Sequence, residues 1–178
     1  MSVAVGQSIN SDIYVEHDYQ GSLPQEVLGQ VKAIDWASWF QTWLESLSKT
    51  TDLPLACELS LRLTGDRQMQ QYNYQYRGLD QPTDVLAFAA TESEITIPPD
   101  LSEPLYLGDI IISLDTALNQ AQEQKHSLIV ELAWLSSHGL LHLLGWDHPD
   151  EQSLRQMLER QQELIHFLDA FVPDGLRP

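Results

Sequence analysis

The sequence predicts a single α+β domain in which helices cover a mixed β-sheet, and three observations carry that expectation. Strand-length segments, alternating or wholly apolar, are interleaved with longer segments whose apolar residues recur at helical spacing. No repeat, low-complexity tract or long linker separates a second domain. The chain has 178 residues, 43% of them hydrophobic and 20% charged, enough to bury about 70% of the surface its unfolded form exposes. Residues 1–178 are therefore read as one domain.

The elements follow in order. Ile13 to Glu16 reads as a short first strand. Pro24, suited to a first helical turn, opens a long amphipathic helix to about Leu47, with Trp36, Trp39, Phe40 and Trp43 forming a core-facing stripe. Leu55 to Leu63 alternates apolar and polar residues as a half-buried strand does. Thr64-Gly65-Asp66 then turns and caps a helix to about Tyr76. A polar loop, RGLDQPTD, leads to the apolar strand Val85 to Ala89. Ala90 to Pro104, acidic and with three prolines, is expected to be an exposed loop, and Leu105 to Ile112 is another strand. Ser113 caps a helix to about Lys125, and Ser127 caps another to about Leu144, which Gly145 ends. Asp150 to Leu168 forms the last amphipathic helix, before a tail containing Pro173 and Gly175.

Composition narrows the setting. Cys57 is the only cysteine, so no internal disulfide can form. No apolar run approaches the roughly 20 residues of a membrane span, and the N-terminus lacks the pattern of a secretory signal. A cytoplasmic location is expected, with no membrane partner. Nine Lys and Arg against 26 Asp and Glu give a net charge of −17, which opposes general attraction to polyanions. DNA is not expected as a partner. Any phosphate ligand would have to meet local cations, for which Arg62, Arg67 and Arg77 are the candidates.

The chemistry concentrates in HGLLHLLGWDH, residues 138–148, which holds three of the six histidines. His138 and His142 are one helical turn apart on one face. Gly145 permits a sharp turn that returns His148 to that face. The pattern H-x3-H-x5-H on a helix and turn is therefore read as a metal site. It also has the ligand spacing of the metzincin proteases, which place a general-base glutamate directly after the first histidine. Here that position is Gly139. Glycine in a helix interior costs about 1 kcal/mol relative to alanine. Either something approaches the helix backbone closely there, or the helix packs tightly on the sheet. Three neutral ligands leave a metal its full charge, suited to activating water and stabilising an anionic transition state.

A second constellation lies in NYQYRGLDQPTDVLAF, residues 73–88. Arg77 presents a planar fork suited to phosphate oxygens, and Asp84 sits at the start of a strand. Spacing alone allows Arg77 a structural salt bridge, and Thr83 and Asp84 a turn-capping role.

Together these segments resemble the signatures of the YbeY family of metal-dependent endoribonucleases. HGLLHLLGWDH is similar to H-G-x-L-H-L-x-G-Y-D-H, the upstream segment to N-x-x-x-R-x-x-D-x-P-T-D-V-L-S-F, and LGDIIIS, residues 107–113, to L-G-D-I-x-I-S. The motifs run in family order from Asn73 to His148. Trp146 stands where the family has tyrosine, and Ala87 where it has serine.

The resemblance implies a zinc ion, one per chain, held by His138, His142 and His148, and a catalytic Arg77. It also implies single-strand-preferring RNA cleavage in rRNA maturation and ribosome quality control, with ribosomal RNA as substrate. Ribosomal particles or basic ribosomal proteins are the expected partners, and an acidic enzyme suits recruitment by such proteins. Asp84, Asp109 and Asp147 are weaker candidates for a base or for positioning substrate, Asp147 also for orienting a liganding histidine. The nucleophile is water or the RNA 2′-hydroxyl. Two rivals remain: a zinc peptidase, opposed by Gly139, and a ribosome-assembly factor with a structural metal, opposed by Arg77.

Overall fold

The computed structural model describes residues 9–92 and 103–170. Within these, alternating burial makes β1 (Asn10–His17) and β2 (Ala56–Thr64) half-buried strands. Between them lie α1 (Gln25–Lys32) and α2 (Trp36–Leu47). Then come α3 (Asp66–Arg77), β3 (Val85–Ala89), β4 (Leu105–Ser113), α4 (Leu114–Gln124), α5 (Leu128–Leu143) and α6 (Glu151–His166). A 3₁₀ turn occupies Ala90–Glu92, and another, Phe167–Ala170, extends α6. Most of the acidic Ala90-to-Pro104 stretch, residues 93–102, lies outside the described residues, as does the tail with Pro173 and Gly175.

The four strands form one mixed sheet in the order β1-β2-β4-β3. β1, β2 and β4 are parallel, and β3 runs antiparallel to β4 as an edge strand. An α+β fold with helices over a mixed sheet is therefore what the chain adopts. The main core fills one face of the sheet, with Phe40, Trp43 and Leu44 of α2, Leu132 and Leu140 of α5, and Met157 and Leu164 of α6. Burying each such side chain contributes about 1.5–3 kcal/mol. The tryptophan stripe is core: Trp36, Trp39 and Trp43 are at most 5% exposed, and Trp43 Nε1 donates to the Leu164 carbonyl at 2.9 Å. A small second cluster, Met69, Leu86 and Ile111, lies beneath α3 on the other face.

One expected element divides. The single helix from Pro24 to Leu47 is two, because Asp35 accepts a hydrogen bond from the Ser38 amide at 3.1 Å and caps a new helix start. Its backbone, at φ −82° and ψ 78°, is not helical. Capping chemistry here wins over the continuous amphipathic pattern.

α5 is the central helix, and two glycines set its form. Gly139 answers the choice left by the sequence: a Cβ there would meet Ile110 Cγ2 of β4 at 2.9 Å, so the glycine serves close helix–sheet packing. Gly145, at φ 85°, ends the helix in the left-handed region. Its amide donates to the His142 carbonyl and that of Trp146 to the Leu141 carbonyl, both at 3.0 Å, the paired bonds of a Schellman stop. The chain then doubles back toward the face it has just left.

Candidate metal centre

That reversal brings three imidazoles together. One ring nitrogen from each of His138, His142 and His148 lies within 4.8 Å of the other two. The Nε2 atoms of His138 and His142 are 3.0 Å apart, and the ring centroids stand 4.5, 5.4 and 5.8 Å from one another. A tetrahedral metal with bonds of about 2 Å would hold its ligand nitrogens roughly 3.3 Å apart. The rings fit such an ion, with His148 the most exposed of the three.

The tautomers suit a metal as well. Gln161 of α6 is fully buried, and its Nε2 donates to the Trp134 carbonyl at 3.1 Å. That carbonyl can only accept, so Gln161 Oε1 faces His138 Nδ1, 3.1 Å away, and accepts a hydrogen bond from its N–H. The His138 Nε2 lone pair is thereby left free and aimed at the cluster. Burial lowers the pKa of His138, the charge of His148 adding to it against the Gln161 bond and Asp84. Burial also lowers that of His142, reinforced by His138 and His148, against a backbone hydrogen bond at Trp146 and the charge of Asp147. Both rings are neutral, metal-ready donors at neutral pH.

Gln161 was not singled out in the sequence, because a glutamine on a charged amphipathic helix reads as solvent-facing. Gln161→Leu is expected to keep the fold and weaken metal binding about 10–100-fold, measured by competition with a chromogenic chelator. Unchanged affinity would show that His138 needs no such support.

The cluster opens into a cleft of about 500 Å³ between α5 and the edge strand β3. Arg77, Asp84, Trp134 and Asp147 line it along with the three histidines. Arg77 is the last residue of α3, delivered there by Gly78, whose left-handed backbone (φ 71°) stops the helix. Buried Asn73 holds the following loop by donating to the Gln81 carbonyl at 2.8 Å. Arg77 is exposed and forms no ion pair among the described residues. Arg62, by contrast, pairs with Glu16 at 2.7 Å, and Arg67 lies at a separate pocket.

The carboxylates divide. Asp84 Oδ1 accepts from the Val85 amide at 2.7 Å and Oδ2 from Gln120 Nε2 at 3.0 Å, so it caps its own loop while lining the cleft. Asp147 Oδ1 accepts from the His148 amide at 2.8 Å and braces the returning turn. Asp109 is not brought to the cleft. It is half-buried in β4 between Ser60 and Phe88, one residue out of phase with Ile110, which packs against α5. Glu92 and Trp134, which no motif in the sequence marks, also line the cleft.

Fold and site thus define an α+β protein with a three-imidazole candidate metal centre open to a cleft that holds one arginine. The chain matches the family model described as Endoribonuclease YbeY over residues 25–169 and belongs to that family. It is 53% identical to Endoribonuclease YbeY of Trichormus variabilis, covering 76% of this chain and 78% of the relative. It is 50% identical to that of Acaryochloris marina, over 89% of this chain and 96% of the relative. A protein of Thermotoga maritima solved in solution, 23% identical, shares the fold with a TM-score of 0.51 over 87% of each chain. No helix among the described residues is long and apolar enough to cross a membrane.

Proposed function

We propose that this protein is a zinc-dependent, single-strand-preferring endoribonuclease of rRNA maturation and ribosome quality control, acting in the cytoplasm on RNA within ribosomal particles. One observation carries the reading: three converging imidazoles and an arginine with no ion-pair partner among the described residues share one open cleft. His138, His142 and His148 would hold the ion, which supplies Lewis acidity and activates the nucleophile when bound. Arg77 binds a non-bridging phosphate oxygen and offsets the charge that grows there in the transition state. Asp84 and Asp147 fix the loops that carry Thr83 and His148. A purely structural metal would call for a closed ligand set; here His148 is exposed and the cleft stays open.

The charge of −17 bears on the partner. With one Lys or Arg among the described residues lining the cleft, free RNA is bound through few phosphates, and each contact contributes about −0.7 to the log–log salt slope on a single strand. Basic ribosomal proteins supply the attraction that the enzyme lacks. We expect slow cleavage of isolated RNA, abolished by chelator and only gently salt-dependent, and faster or more selective cleavage within ribosomal particles. Peptide substrates should stay intact. The assay compares RNA alone, RNA in particles and a peptide library, each with and without chelator. Chelator-sensitive peptide cleavage with RNA untouched would sink the nuclease reading, and turnover in none of the three would favour an assembly factor.

A further inference from the structure

The residue before Arg77 is as informative as Arg77 itself. Tyr76 is 57% exposed, yet its ring is held from behind by Phe88, with centroids 4.7 Å apart and planes tilted by 54°. Phe88 packs in turn against the buried Met69, Leu86 and Ile111. The ring is therefore braced by an apolar base while more than half of the residue stays open to solvent.

Its position relates it to the cleft. Phe88 lies in β3, and its neighbours Ala87 and Ala89 point the other way and line the cleft. β3 is an edge of the sheet, and among the described residues no strand pairs with its outer side. A strand whose phosphate meets Arg77 can leave the cleft over that edge and lay its next base on Tyr76. The two alanines keep the crossing low. Affinity also has to come from somewhere other than charge, since the chain carries −17 and, among the described residues, Arg77 is the one Lys or Arg along the cleft. Base stacking on an aromatic ring is the interaction that needs no cation and tolerates any base.

We infer that the Tyr76–Phe88 pair is a nucleobase-stacking platform for an unpaired nucleotide beside the scissile phosphate. It rests on the endoribonuclease reading and accounts for a single-strand preference, because a base held in a duplex stack cannot also lie on Tyr76.

The test uses the full chain with its metal and a short labelled single-stranded oligoribonucleotide. Tyr76→Ala should raise KM between about fivefold and hundredfold with kcat little changed, while Tyr76→Phe and Tyr76→Trp keep the wild-type KM. An abasic nucleotide moved along the substrate should reproduce that loss at one position in the wild type and cost Tyr76→Ala nothing more there. Fluorescence anisotropy of the same oligonucleotide reads binding apart from cleavage. Weaker binding by Tyr76→Ala alone supports the platform even without turnover. Cleavage with KM unchanged in Tyr76→Ala overturns the platform and leaves the nuclease reading intact, whereas neither binding nor cleavage by the wild type overturns both.

Discussion

Arg77→Ala is expected to lower RNA cleavage by about 10²–10³-fold, equal to a lost transition-state contact of about 2–4 kcal/mol, with fold and metal content unchanged. The prediction follows from what Arg77 does not do. It is exposed, makes no ion pair among the described residues, and ends a helix that Gly78 stops without its help. Removing it should leave the melting temperature unmoved. Arg77→Lys should recover only part of the rate, because an ammonium cannot reproduce the bidentate fork. Single-turnover kinetics beside a thermal melt decide the matter. An Arg77→Ala protein that has lost its cooperative melt would mean that the side chain is structural after all.

Alanine at His138, His142 or His148 should release the metal and abolish cleavage. Each removes one of three donors, a larger loss than the roughly 10–100-fold cost of removing a supporting hydrogen bond. Elemental analysis of the purified variants gives the answer, and full occupancy in His148→Ala would overturn the ligand set. His17→Ala, His126→Ala and His166→Ala should keep their metal. His126 has a different duty: its Nε2 lies 2.9 Å from the carboxylate of Glu131, which is 6% exposed. His126→Ala should therefore lose about 1–3 kcal/mol of stability while its metal content stays the same.

What could be read from the chain was local. The three histidines are reached by one helix and one turn, so spacing and a glycine suffice to converge them. Arg77 stood out because a motif surrounds it. Gln161 did not, since it meets His138 across 23 residues and only the packing of α6 on α5 brings them together. The place of Asp109 is hidden from the sequence for the same reason. Alternation along β4 puts it opposite Ile110, but which face carries the metal centre is decided by where α5 packs. The split between α1 and α2 was legible in principle, because Asp35 before Trp36 is a cap signal, and the tryptophan stripe running past it masked the break. Strand order left no trace in the sequence: β3 follows β2 along the chain, yet β4 lies between them.

The contact between Gly139 and Ile110 has a consequence for what this chain could become. In the metzincins, the residue after the first histidine is the one that makes the site a peptidase. Here a side chain at that position would start 2.9 Å from Ile110 Cγ2, inside the seam between helix and sheet. Gly139→Glu would drive a carboxylate into the core before it could reach the cleft. Peptidase chemistry is thus separated from this scaffold by a packed wall as well as by a missing base. A lineage starting from this fold would have to move α5 away from β4 before that glutamate could be tried.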